Sequence, residues 1–165
     1  MARYDETMSA LPRAEVELTG DRMTAGWQDG LLLIGRVAIG AIFVMSGFGK
    51  LMNLSGFTAG MEAAGVPAAS FTAPLGAAIE FFGGLAIILG AWTWLAALLV
   101  ALFTVVATAI AHRYWAVPAE QMAAQQTQFM KNLAIIGGLL AFAAAGPGRI
   151  SIDGFRWRRE NSRYL

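Results

Sequence analysis

An all-α integral membrane protein, a bundle of four transmembrane helices, is the fold class the sequence predicts, and three observations predict it. The 165 residues are 57% hydrophobic, with a mean hydropathy of +0.56. Only 14% are charged, against about 25% in an average soluble domain. Four stretches approach the roughly 20 apolar residues needed to cross a bilayer core. They lie at about 31–52, 72–91, 92–112 and 129–145, within a membrane domain at 30–148, between a polar tail at 1–29 and a basic tail at 149–165.

Composition also excludes chemistry. The chain has no cysteine and one histidine. Disulfides, thiol redox chemistry, cysteine-ligated iron–sulfur clusters and a cysteine–histidine zinc site within this chain are therefore ruled out, and a bis-histidine haem would need a second chain. No metal site is expected. A net charge of +1 lacks the basic stripe of a nucleic-acid binder.

Residues 1–29 carry mixed charge and read as a mobile cytoplasmic tail, not a cleavable signal peptide, with a short helix from about Asp21 as the alternative. In the first span, Arg36, Gly40, Gly47 and Lys50 form one small and polar stripe at helical spacing. Arg36 and Lys50 lie about 21 Å apart along the helix, each near an end where snorkelling is tolerable. Residues 54–71, interrupted by glycines and Pro67, are too broken to span. They suit a short interfacial helix over about Ser55 to Ala64 and a turn at Gly65-Val66-Pro67.

The second span holds a lone carboxylate, Glu80, near its centre. Its eight strongly apolar residues favour insertion by roughly 2.5 to 5 kcal/mol, and one ionised group takes back about 3 kcal/mol. Glu80 therefore needs a partner or a proton. Gly76, Gly83 and Gly84 share its face, so it points into the bundle, where glycines permit close helix approach. A tight link near Trp92 and Trp94 leads to the third span, whose stripe of Ala97, Ala101, Thr104 and Thr108 ends at His112. Tyr114 and Trp115 mark an interface. Pro118 can start a helix that continues through AEQMAAQQTQ into the fourth span, where Lys131, Ala134, Gly138, Ala141 and Ala145 share a face until Gly146-Pro147-Gly148 ends it.

The terminal tails hold eight arginines against Lys50, Arg113 and Lys131 on the other side. Positive-inside counting makes both termini cytoplasmic.

The segments GRVAIGAIFVMSGFGKL, Glu80 followed by Gly83-Gly84, His112 near Trp115, and GPGRISID (Gly146 to Asp153) occur in an order that resembles the DoxX family of bacterial membrane proteins. The likeness covers most of residues 30–154. It implies a four-helix bundle of the bacterial inner membrane, and a link with membrane oxidoreductase systems, including a thiosulfate:quinone oxidoreductase small subunit.

With both termini inside, Lys50, His112, Lys131 and Asn132 lie toward the outer face, with Glu80 one to two turns deeper. In the functional reading these residues hold a quinone-like headgroup. Lys50, Lys131, Asn132 or His112 donates to its carbonyl, Glu80 or His112 carries protons, and Tyr114 and Trp115 exclude water or stack on the ring. In the structural reading, Glu80–Lys50 is a buried pair fixing helix register, and His112 and Lys131 face interfacial water. Arg36 reads as structural and snorkelling. Arg149, Ser151 and Asp153 either dock a partner or, the favoured expectation, cap the end of the fourth span. Three functions remain open: a quinone-linked subunit taking electrons from a protein partner, a non-catalytic anchor or assembly subunit of a larger complex, and a small transporter or lipid-binding protein.

Overall fold

The computed structural model describes the backbone of residues 11–161 and the side chains of 26–160. The described residues are mostly helical, with no strand among them. Helix α1 spans Leu11–Met52, α2 Leu54–Ala63, α3 Ala69–Leu89, α4 Thr93–Ala111, α5 Ala119–Ala145 and α6 Ile152–Asn161, and a single 3₁₀ turn covers Tyr114–Ala116. Among the described residues, four segments are long and apolar enough to cross a membrane: Gly26–Met52, Ala69–Leu89, Thr93–Ala116 and Ala119–Ala145.

The sequence places the start of the first helix at about residue 31, where hydropathy rises, but the helix already runs from Leu11. Hydropathy registers where lipid begins, whereas a helix extends into polar sequence wherever nothing interrupts its backbone bonds. Pro12, in the first turn, is tolerated because that turn's N–H groups have no intrahelical acceptor. The helix expected to start at Pro118 and run into the fourth span does so: α5 begins at Ala119, with Pro118 at its N-cap.

The most extensive contact joins α1 to α3, and glycines make it possible. A Cβ on Gly84 would lie 2.9 Å from the Gly40 carbonyl oxygen, and one on Gly47 would lie 2.5 Å from the Phe81 backbone nitrogen. Neither backbone can yield, so the two helices meet only where side chains are missing. On α4, Ala97, Ala101, Thr104 and Thr108 are buried while Leu98, Leu102 and Val105 are exposed. Small residues thus face protein and large ones face lipid, as expected where helices associate by packing without a hydrophobic drive.

Helix α5 reverses this pattern. Ala134, Ala141 and Ala145 are exposed, and Ile135, Leu139 and Phe142 are buried. Of the face shared by Lys131, Ala134, Gly138, Ala141 and Ala145, only Gly138 packs inward, against Ile39, and the alanines look outward. The reason is spacing: α5 stands farther from α1 than α3 does, and large side chains fill the gap. The Phe142 ring, for example, tucks 2.7 Å from where a Cβ on Gly35 would be.

At the end of the bundle that carries the termini, a polar cluster ties the C-terminal segment down. Arg36 is fully buried, donating from Nη1 to the Ile88 carbonyl at 3.3 Å and from Nη2 to the Ile150 carbonyl at 2.5 Å. It does not snorkel as its sequence position suggests, because carbonyls at the C-terminus of α3 and in the segment between α5 and α6 offer it acceptors. The Asp153 carboxylate accepts from the backbone N–H groups of Trp92 and Thr93 at 2.9 Å each and from the Thr93 hydroxyl at 3.1 Å. It therefore caps the start of α4, not the end of the fourth span. Trp92 has φ +44°, a strained conformation for a bulky residue, and this bond helps hold it there. Ser151 accepts from the Gly154 N–H at 2.9 Å, capping α6. The Arg149 N–H donates to Asp29 at 2.6 Å.

Candidate functional site: an intramembrane cavity

The opposite half of the bundle contains a cavity of about 690 Å³, with walls from α1 to α5. That volume lies within the range of small-molecule sites. Its walls are mostly apolar, among them Phe43, Ile79, Phe103 and Ile135. Helix α2 lies over it, contributing Gly56, Phe57, Gly60 and Met61. This lid has no fully buried residue, and its first turn is fixed by Asn53, whose side chain accepts from the Gly56 N–H.

Lys50, Glu80, His112, Lys131 and Asn132, all singled out from the sequence, line this one cavity. Lys50 Nζ and Glu80 Oε1 are 2.5 Å apart, so the lone carboxylate of the second span does find the cation at the end of the first. The pair is unevenly buried: 27% of the Lys50 side chain is exposed and 7% of Glu80. The ammonium also sits 5.1 Å from the centre of the Phe57 ring, which links the lid to the ion pair. Oxygen Oε2 of Glu80 is buried and has no hydrogen-bond partner among the described residues.

On the far wall, Asn132 donates to the Thr108 hydroxyl oxygen at 2.8 Å. The Thr108 and Thr104 hydroxyls donate one turn back, to the carbonyls of Thr104 and Val100 at 2.6 and 2.7 Å. His112 Nδ1 lies 2.8 Å from Gln125 Oε1, joining the end of α4 to α5. Lys131 is exposed at the rim and donates to Gln128 at 2.5 Å.

Tyr114 and Trp115 do not line the cavity. The 3₁₀ turn directs them onto Phe129, with ring centres 5.5 and 5.9 Å away, so the expected ring-stacking role has no geometric basis here. The sequence reading missed the contribution of α2. The available signal was Gly56 and Gly60, one turn apart beside Phe57 and Met61, which give the lid a smooth inner face.

Fold and site together define a class: a polytopic membrane bundle with an intramembrane ion pair on the wall of a lipophilic cavity. Residues 31–113 match the DoxX family. The inner membrane proteins YphA and YqjF of Escherichia coli (strain K12) are 34% and 39% identical to this chain over 123 and 122 residues, 74% of this chain and 88% of each relative. The chain belongs to the DoxX family. No solved structure matches it.

Proposed function

We propose that the cavity holds the head of a lipid-soluble quinone, and that the chain is the quinone-linked membrane subunit of an oxidoreductase system in the bacterial inner membrane. The observation that carries this reading is the convergence of Lys50, Glu80, His112 and Asn132 on one apolar cavity inside the membrane. Intramembrane ionisable groups are costly, and that cost is commonly tied to function. The residues fit such a head. Lys50 and Asn132 each keep N–H donors beyond those used within the protein, and the unpartnered Glu80 oxygen faces no competing donor. When bound, a quinone supplies two-electron, two-proton chemistry that no side chain here possesses. Glu80 and His112 are the groups on the wall able to hold a proton, with His112 at the helix end nearer water. Electrons come from a protein partner. The eight tail arginines support cytoplasmic termini and a cavity in the outer half of the membrane.

The test is quantitative mass spectrometry of lipids that copurify with the full chain in mild detergent. Quinone should be present at up to one per chain, and His112→Ala or Asn132→Ala should lower it without loss of the folded bundle. If wild-type protein carries none, the reading fails and a non-catalytic anchor or assembly role takes its place. Substrate flux in liposomes without bound quinone would favour a transporter.

A further inference from the structure

Hydrogen-bond polarity inside the cavity discriminates between heads of the same shape. An ionised carboxylate is acceptor-only. Glu80 uses Oε1 on Lys50, while Oε2 is buried, 5% of the residue being exposed, and receives no hydrogen bond among the described residues. Thr104 also lines the cavity, and its hydrogen is committed to the Val100 carbonyl, which leaves only lone pairs on its oxygen. The unmet demand is therefore for a donor. Lys50 and Asn132 have spare N–H groups, but the Lys50 end is more than a quarter exposed and rests against Phe57, and Asn132 is only half-buried, so water or lipid headgroups can satisfy them. Glu80 Oε2 lies deeper, so with the cavity filled its donor has to come from the occupant. The least replaceable interaction decides selectivity, because an unsatisfied buried acceptor bears the full cost of its desolvation.

We infer that the cavity selects a lipophilic molecule whose head carries a hydroxyl donated to Glu80 Oε2, so that within the quinone pool it takes the reduced, dihydroxy form in preference to the oxidised, dicarbonyl form. This rests on the quinone reading above for its choice of ligand but not for its polarity. A hydroxyl meets the free oxygen with a hydrogen; a carbonyl or ether sets lone pairs against it. A hydrogen bond to a charged acceptor accounts for about a tenfold preference or more.

Two ligand pairs test this on the full chain in detergent, with dissociation constants from isothermal titration. 4-Nonylphenol should bind at least about tenfold more tightly than its methyl ether, and decylubiquinol should exceed decylubiquinone by a similar factor. In Glu80→Gln, checked for an intact thermal transition, the amide both donates and accepts, and both ratios should fall to about threefold or less. Equal binding of phenol and ether by the wild-type protein overturns the inference, as do tighter binding of the oxidised quinone and an unchanged ratio in Glu80→Gln. If neither quinone form binds while the phenol still outcompetes its ether, donor selection stands and the quinone reading falls. If no probe binds, both fall.

Discussion

Replacing Lys50 by methionine keeps the volume of the side chain and removes only its charge, leaving Glu80 buried without a partner. At 2.5 Å and an effective dielectric of about 20, the pair attracts by roughly 7 kcal/mol before either ion's desolvation is counted. Breaking such a buried pair from one side costs about 3 to 5 kcal/mol net. The structure makes the two sides unequal. Glu80, with 7% of its side chain exposed, cannot reach water, so Lys50→Met should show that full cost. Lys50, with 27% exposed, lies near a helix end and can extend toward the interface, so Glu80→Met should cost roughly half as much. The double variant replaces the pair with apolar side chains and should return to within about 1 kcal/mol of the wild type. The assay is equilibrium unfolding in mixed micelles of rising SDS content, followed by the fluorescence of the five tryptophans. A coupling energy of at least about 2 kcal/mol is expected from the cycle. Additive single effects, or a larger loss in Glu80→Met than in Lys50→Met, would refute the reasoning.

Arg36→Met removes the bonds to Ile88 and Ile150, and should speed trypsin cleavage at Arg156 or Arg158 by about tenfold or more, since each bond from a charged donor is worth about 1.5 kcal/mol at least. Unchanged cleavage would mean that the C-terminal segment is held by other contacts. Gly47→Ala places a Cβ against the Phe81 backbone and should cost about 1 to 3 kcal/mol in the same micelle titration. Gly49→Ala, where no atom lies within 4 Å, should be neutral or gain up to about 1 kcal/mol. Cysteines placed in this cysteine-free chain at Gln126 and Glu160 should react with an impermeant thiol reagent from opposite sides of the membrane, with labelling of both from one side contradicting four spans.

Much of the cavity was legible because lipid leaves a charge few options. One carboxylate in a 20-residue apolar run demands a partner, helical spacing puts it among glycines, and the nearest cation on a comparable stripe is Lys50. The terminal cluster was not legible. Arg36 bonds to main-chain carbonyls, which leave no trace in the side-chain pattern, and Asp153 caps a helix that begins 60 residues earlier. The direction of Tyr114 and Trp115 was lost for a similar reason. Adjacency to His112 says nothing about which way a 3₁₀ turn aims its rings, and the partner that takes them, Phe129, lies on another helix. For α5, spacing identified a small-residue face correctly, but only the distance to its neighbours decides whether small or large residues belong inside.

Photolabelling with an azido-substituted short-chain quinone, followed by peptide mapping, tests most directly whether this cavity is the binding site. Adducts should concentrate on the cavity walls, at Phe57, Met61, Ile79 and Phe103, and should fade when unlabelled quinone is added in excess. Labelling spread over the lipid-facing side chains Leu98, Leu102 and Val105, and insensitive to competitor, would contradict the assignment.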